Sequence, residues 1–193
     1  SGKPVRLASK SVRVRSLLGH VLSNHPGFQG LMTFSADETA WLSSLGFDDL
    51  LLAYPCWNEE SIKKICLEVG KGKRILVMLD SASHARHYQS IAKQVGIVLP
   101  VCLDLDLSVR YPGLHFGVNR SPIDSAEKAV ALWRVIESLP NLKLEGLMGY
   151  EAQVAGLGDD VPGMNIKAPL VRLLKKRSIQ LVRERREKTV HAL

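Results

Sequence analysis

Short, almost wholly apolar runs alternate along this chain with segments whose apolar residues recur at helical spacing. The runs are VRLA (5–8), GLMTF (30–34), DLLLAY (49–54), RILVMLD (74–80), LPVCLDLD (99–106) and LKLEGLMGY (142–150). Apolar runs of this kind predict strands covered on both faces. Between them lie SVRVRSLLGHVLSN, SADETAWLSSLG, NEESIKKICLEVG, SASHARHYQSIAKQVG and SAEKAVALWRVIESL, each with an amphipathic helical period. Ser35 and Glu38 have the spacing of a capping box, and Ser125 is placed to cap before Glu127. Gly46, Gly70 and Gly96 stand where these helices should stop.

Strands that alternate with helices predict βα units around a parallel sheet, so the fold class is α/β. Two architectures compete, a doubly wound open sheet and a parallel (β/α)8 barrel. No GxGxxG or GxxxxGK[ST] loop follows the first strand, which weakens nucleotide-binding versions of the open sheet. The runs end in polar or reactive groups: Ser9-Lys10, Thr33, Tyr54, Asp80, Asp104 to Asp106, and Tyr150-Glu151. In a βα barrel those strand ends converge on one face and build the site. Six strands are visible, followed by a long helix, whereas a closed barrel needs eight and typically about 250 residues. The expectation is therefore an incomplete barrel of about six βα units, with the chain a fragment of a larger protein. An exposed parallel edge would be a liability in solution.

Composition narrows the class further. The chain has 193 residues, 46% hydrophobic and 23% charged, enough for one domain with a substantial core. No apolar run approaches the roughly 20 residues of a membrane helix, and Ser1-Gly2-Lys3-Pro4 carries no signal-peptide core, so neither membrane nor secretion is expected. Cys56, Cys66 and Cys102 form neither a disulfide framework nor a CxxC site, which fits a reducing, cytoplasmic setting. The net charge of +7 raises the question of nucleic acid. Much of the excess sits in KKRSIQLVRERREK (175–188), where Glu184 and Glu187 are spaced to pair with arginines along a solvated helix face. No nucleic-acid partner is expected.

Lys10 is the first candidate for chemistry. On a barrel rim it would share a face with Asp80, Asp104, Asp106, Arg110, Tyr150 and Glu151. A lysine amine in such surroundings can attack carbonyls to form a Schiff base. That chemistry admits an aldolase acting directly on its substrate or a pyridoxal phosphate enzyme. Tyr150 suits a cofactor contact or an acid-base role, and equally a rim tyrosine bonded to a backbone carbonyl. Asp104 and Asp106 lie two apart, on one side of a strand, where buried carboxylates need partners. Arg110 and Arg120 are available, so either a ligand-positioning network or a structural ion-pair network is open. His84 and His87, three apart, look like part of an exposed helix start rather than a metal pair. Met32, Met148, Trp41 and Trp133 are expected in the core.

Three stretches resemble one known family. VRLASKS is similar to a first-strand motif in which an arginine precedes a short extended run ending in the Schiff-base lysine. CLDLDLSVR, followed by HFGVNRSP, resembles that family's acidic strand with its downstream glycine and arginine. GLMGYEAQVAGLGD (146–159) resembles the sixth-strand motif whose tyrosine lies in the cofactor pocket. The family is that of the alanine racemase-like, fold-type III pyridoxal phosphate enzymes. The closer likeness is to the branch of D-threonine aldolase and D-serine dehydratase, the amino acid deaminase/aldolase group. The likeness runs from Lys10 to about Asp160. Where D-threonine aldolases carry a histidine near the lysine, this chain has Ala8-Ser9.

The resemblance implies that residues 1–193 are part of an N-terminal pyridoxal phosphate-binding barrel domain. It implies a pyridoxal phosphate-dependent lyase that deaminates, dehydrates or cleaves β-hydroxy D-amino acids; an amino acid racemase and a non-catalytic pyridoxal phosphate carrier are the alternatives. Lys10 and Tyr150 become the catalytic pair, and Lys10, Asp106, Arg110 and Tyr150 the cofactor contacts. The partner is a small amino acid substrate, and relatives in this family often form homodimers. Their phosphate-binding loops follow the seventh and eighth strands, and a C-terminal β domain carries a divalent metal, zinc or manganese. No metal ligand is expected within these 193 residues, and a fragment lacking the phosphate loops should hold the cofactor poorly and be inactive alone.

Overall fold

The computed structural model describes residues 2–156 and 168–193. In chain order the elements are β1 (Val5–Ala8), α1 (Ser9–Val12), α2 (Arg15–Asn24), β2 (Phe28–Thr33), α3 (Ala36–Ser44) and β3 (Leu50–Leu52). Then follow α4 (Glu59–Gly70), β4 (Ile75–Leu79), α5 (Ala82–Val95), β5 (Leu99–Leu105), β6 (Val109–Tyr111) and β7 (Leu114–Phe116). The chain continues through α6 (Ala126–Glu137), β8 (Leu142–Gly149), α7 (Ala152–Ala155) and α8 (Ala168–Ala192). Two compact units divide it, one of Ser1–Leu103 with Val135–Gly146 and one of Asp104–Arg134 with Leu147–Leu193.

Six strands form one sheet in the order β1-β2-β3-β4-β5-β8. Pairing from β1 to β5 is parallel, with Ala8 opposite Met32, Thr33 opposite Leu52, Leu52 opposite Val77 and Leu79 opposite Leu103. This is an α/β fold whose sheet matches part of a (β/α)8 barrel. Parallel strands joined by helices are covered on the helix side, and all five residues of β4 are buried. Ile62, Ile65 and Cys66 of α4 and Ala85, Tyr88, Ile91 and Ala92 of α5 are buried with them. Each buried Leu or Ile side chain contributes about 1.5–3 kcal/mol relative to exposure.

The helix starts predicted at Ser35 and Ser125 hold. Ser35 accepts from the Glu38 N–H at 3.2 Å, while Glu38 reaches back to the N–H of Phe34 at 2.8 Å. Gly96 ends α5 in the left-handed region, with φ 77°. Three expectations need correction. The segment 11–24 is not one helix: Arg13, at φ 51°, closes the single turn α1, and α2 starts at Arg15. Gly70 is the last helical residue of α4 rather than its stop, and the left-handed position falls at Gly72. Trp41 is 54% exposed on α3 and lies outside the core. The stretch 109–116 folds as an antiparallel hairpin, β6 against β7, turning through Pro112 and Gly113.

In the second unit, α8 carries the basic run. Arg183 pairs with Glu187 at 2.8 Å, and Gln180 bonds Glu184, as one-turn spacing requires. Val182 and Thr189, seven apart on one helix face, are buried, while arginines on other faces stay in solvent.

Candidate functional site

Lys10 owes its place to the end of β1. The strand stops at Ala8, whose extended backbone leads directly into the one-turn helix α1. Ser9 is buried and donates to the Met32 carbonyl at 3.3 Å, tying the start of α1 to β2. Arg13 closes the turn, its N–H bonding the Ser9 carbonyl at 2.8 Å and its Nε the Lys10 carbonyl at 3.0 Å. The Lys10 backbone is therefore pinned from both sides while its side chain stands in solvent at the C-terminal edge of the strands. Nζ donates to the Tyr54 hydroxyl at 3.3 Å and lies 5.6 Å from the centre of that ring. Phe34 meets Tyr54 edge to face at 5.2 Å. Ser9, Lys10, Arg13, Phe34, Glu38 and Trp41 share the wall of a cavity of about 310 Å³.

The ends of β3 and β4 supply a second cluster in the same unit. His84 is 8% exposed, not the exposed helix-start residue the sequence suggests. Its Nδ1 lies 2.7 Å from Asp80 Oδ1 and 2.9 Å from Ser81 Oγ. Trp57 covers it, with ring centres 4.2 Å apart, and lies 5.0 Å from His87. Below them Tyr88 donates to the Met78 carbonyl at 3.1 Å and accepts from the Cys56 N–H at 2.8 Å. Burial pushes the Tyr88 phenol far above its ordinary range, so it stays protonated and structural. Burial also pushes the Cys66 thiol up to about 11, leaving it inert at neutral pH.

The second unit holds the acidic strand end and the tyrosine. Asp104 is 1% exposed and accepts from Arg120 Nε at 2.8 Å. The same guanidinium lies 6.0 Å from the centre of the Tyr150 ring, which is itself 44% exposed. Asp106 is buried differently: its carboxylate accepts from the Ser108 N–H at 2.7 Å, and its N–H donates to the Ile123 carbonyl at 2.7 Å. Arg185 of α8 donates to the carbonyls of Asp106 and Ser108 at 2.7 and 2.9 Å. Arg110 stands exposed on β6, facing a groove of about 490 Å³ that Asp106, Asp124 and Lys188 also line. Asp124 is held below the usual carboxylate range by the hydrogen bond from Lys128.

Two glycines admit close neighbours here. A Cβ on Gly149 would lie 2.3 Å from Leu107 Cδ1, and one on Gly117, at φ 116°, would lie 2.7 Å from Gln153 Oε1. Gly149 thus lets the last residues of β8 lie against Leu107 immediately before Tyr150.

Of the residues singled out in the sequence, Lys10 belongs to the first unit and Asp106, Arg110 and Tyr150 to the second. The structure joins Arg120, rather than Arg110, to Asp104 and Tyr150. Arg120 was legible as a partner for the carboxylates and as the arginine of the HFGVNRSP stretch, not as a neighbour of Tyr150. Its signal is that it ends the GVNR stretch, sixteen residues past Asp104. Tyr54, the hydrogen-bond partner of Lys10, lies 44 residues from it in sequence, and no local pattern links the two. Of the motif at 146–159, Leu157 to Asp159 lie outside the described residues, as does Asp160. Among the described residues no group of three or more His, Cys, Asp or Glu is arranged to hold a metal ion. No described helix is long and apolar enough to cross a membrane.

No protein-family model matches the chain, and no curated protein matches it. Solved structures do. The crystal structure of D-threonine aldolase from Filomicrobium marinum superposes with a TM-score of 0.78 at 14% identity, over 99% of this chain and 45% of its own. D-threo-3-hydroxyaspartate dehydratase from Delftia sp. HT23 gives 0.65 at 14% identity, over 95% of this chain and 44% of its own. Alanine racemase from Clostridium difficile 630 gives 0.60 at 15% identity, over 100% and 44%. The chain thus spans less than half the length of each, and what it shares with them at these identities is the fold. They are a D-threonine aldolase, a D-hydroxy amino acid dehydratase and an alanine racemase, the group that the motifs resemble.

Proposed function

We propose that this chain is the lysine-bearing barrel portion of a pyridoxal phosphate-dependent enzyme acting on D-amino acids, of the lyase kind that dehydrates, deaminates or cleaves β-hydroxy substrates. The observation that carries the reading is the placement of Lys10. Its amine stands at the C-terminal end of β1, in solvent, on a backbone pinned by Ser9 and Arg13. The fold shared with the aldolase and the dehydratase supports it, as do the three motifs.

The residues present fit the aldehyde end of the cofactor. Lys10 Nζ donates to the Tyr54 hydroxyl rather than to a carboxylate, an arrangement that suits an amine that has to react. Pyridoxal phosphate, when bound, supplies an electron sink for a bond broken next to the amino group of its substrate. Lys10 holds the cofactor and then, as a free amine, takes or returns a proton at Nζ. Tyr150, Asp106 and Arg110 are assigned to cofactor contact on the motifs alone. The choice of lyase over racemase rests on the branch those motifs resemble.

The test uses the full-length protein that carries this chain, with pyridoxal phosphate, followed by borohydride reduction and peptide mapping. The expected result is a reduced adduct on the peptide carrying Lys10 that disappears in Lys10→Ala. Equal labelling of that variant would remove the assignment. Turnover of D-threonine, D-serine, D-3-hydroxyaspartate and alanine then separates aldolase, dehydratase and racemase.

A further inference from the structure

We propose that Tyr54 is the positioning residue of Lys10, holding the reactive amine by a hydrogen bond to its hydroxyl and by the face of its ring. The proposal rests on the reading of Lys10 as the cofactor lysine and adds the group that holds its amine in place. A lysine has four rotatable side-chain bonds, and an exposed one spreads its amine over a wide arc. Chemistry at the amine needs one orientation, and a fixed partner removes the search.

Three features make Tyr54 a fixed partner. Its backbone is tied on both sides: the Ala53 N–H donates to the Thr33 carbonyl at 3.0 Å, and the Cys56 N–H donates to the Tyr88 hydroxyl at 2.8 Å. Pro55 follows it and restricts its backbone to extended conformations. Its ring is met edge-on by Phe34 at 5.2 Å, with the planes 70° apart. The amine at the other end comes from a backbone that is itself pinned by Ser9 and Arg13. The hydrogen bond of 3.3 Å thus joins two anchored segments, β1–α1 and the loop after β3.

The chemistry of the partner matters as much as its position. The carboxylate in the same cavity wall is that of Glu38, and it is engaged with the Phe34 N–H at 2.8 Å as a helix cap. A carboxylate on Nζ would hold it as a paired ammonium. A phenol holds it without a counter-charge and can accept from the charged amine or exchange roles with the neutral one. Tyr54 therefore orients Lys10 through a hydroxyl that accepts from its amine.

The experiment compares the full wild-type chain with Tyr54→Phe and Tyr54→Leu, using pyridoxal phosphate as the probe. Adducts are trapped by borohydride, and the share carried by Lys10 relative to the other lysines is counted by mass spectrometry. In Tyr54→Phe, which keeps the ring and its Phe34 contact, that share should fall about tenfold, the effect expected for one charge-assisted hydrogen bond. A second readout needs no cofactor. In the chain methylated with 13C-formaldehyde, Lys10 should give ring-shifted, inequivalent methyl signals in wild type. They should merge but stay shifted in Tyr54→Phe, and move to the position of exposed lysines in Tyr54→Leu. A wild-type chain that shows no preference for Lys10 overturns the lysine reading and this proposal together. A preference that Tyr54→Phe leaves unchanged, with the methyl signals unmoved, overturns the positioning role alone.

Discussion

Arg120 holds Asp104 by a hydrogen bond of 2.8 Å from Nε to Oδ2, with the carboxylate almost completely removed from solvent. A charge buried this far depends on its partner, and removing one member of such a pair typically costs about 3–5 kcal/mol. Arg120→Met should therefore lower the unfolding free energy by about 3 kcal/mol in urea titration. The double variant Asp104→Leu with Arg120→Met should lose less than the single one, because no buried charge remains. If the single and double variants are equally unstable, the pair is not what makes the site costly to disturb.

Tyr88 is a second point where one hydroxyl holds two segments. It donates to the end of β4 and accepts from the loop at Cys56, two residues beyond Tyr54. Tyr88→Phe leaves both backbone groups without that partner, at a cost of about 1–3 kcal/mol. Hydrogen exchange should show the Cys56 amide opening faster in the variant while amides of β4 stay protected. Equal acceleration in both would mean global unfolding rather than release of the loop.

The parts of this fold that could be read from sequence are those set by local pattern. β1, β4, β5 and β8 appear within a residue or two of their apolar runs. β4 and β5 are buried almost throughout, as strands covered by helices need no polar alternation, whereas β1 and β8 are only partly buried. The break at Arg13 could not be read: no glycine or proline marks it, and only the left-handed backbone at Arg13 separates α1 from α2. The β6–β7 hairpin turns at Pro112-Gly113, but its strands are three residues each, too short for alternation to show. The candidate site divides the same way. Lys10 and Tyr150 belong to motifs and could be named. The burial of His84 depends on Trp57, and the hold on Lys10 depends on Tyr54, both brought in by the distant loop after β3. Contacts made across 27 or 44 residues leave no trace in any short window.

Gly149 tests how tightly the end of β8 is fitted. Alanine there would place its Cβ 2.3 Å from Leu107 Cδ1, and Leu107 is itself buried. Overpacking of this kind costs about 1–3 kcal/mol. Gly149→Ala should lower the thermal midpoint, and adding Leu107→Ala should recover part of the loss despite removing buried surface. A double variant less stable than the sum of the two singles would show that Leu107 is not what the new methyl meets.

Glu68 gives the chain an acid-sensitive brace. Lys71 donates to Oε1 at 2.6 Å and Ser43 to Oε2 at 2.7 Å, joining the end of α4 to α3. The hydrogen bond from Lys71, with that from Ser43 behind it, holds the carboxyl below the usual glutamate range, against the opposing effect of burial. A value lowered in the folded state adds stability above the unfolded value of about 4.3 and loses it as the pH falls through the folded value. Because the Lys71 amine is exposed and screened, the expected contribution is about 1 kcal/mol. Glu68→Gln should therefore be less stable than wild type by about that amount at pH 7. The gap should narrow as the pH falls below the unfolded value and through the lowered folded one, as wild type gives up what the variant never had. Urea titrations at pH 7, 5, 4 and 3 measure it, and a gap that stays constant to the lowest pH would place the brace in packing instead of charge.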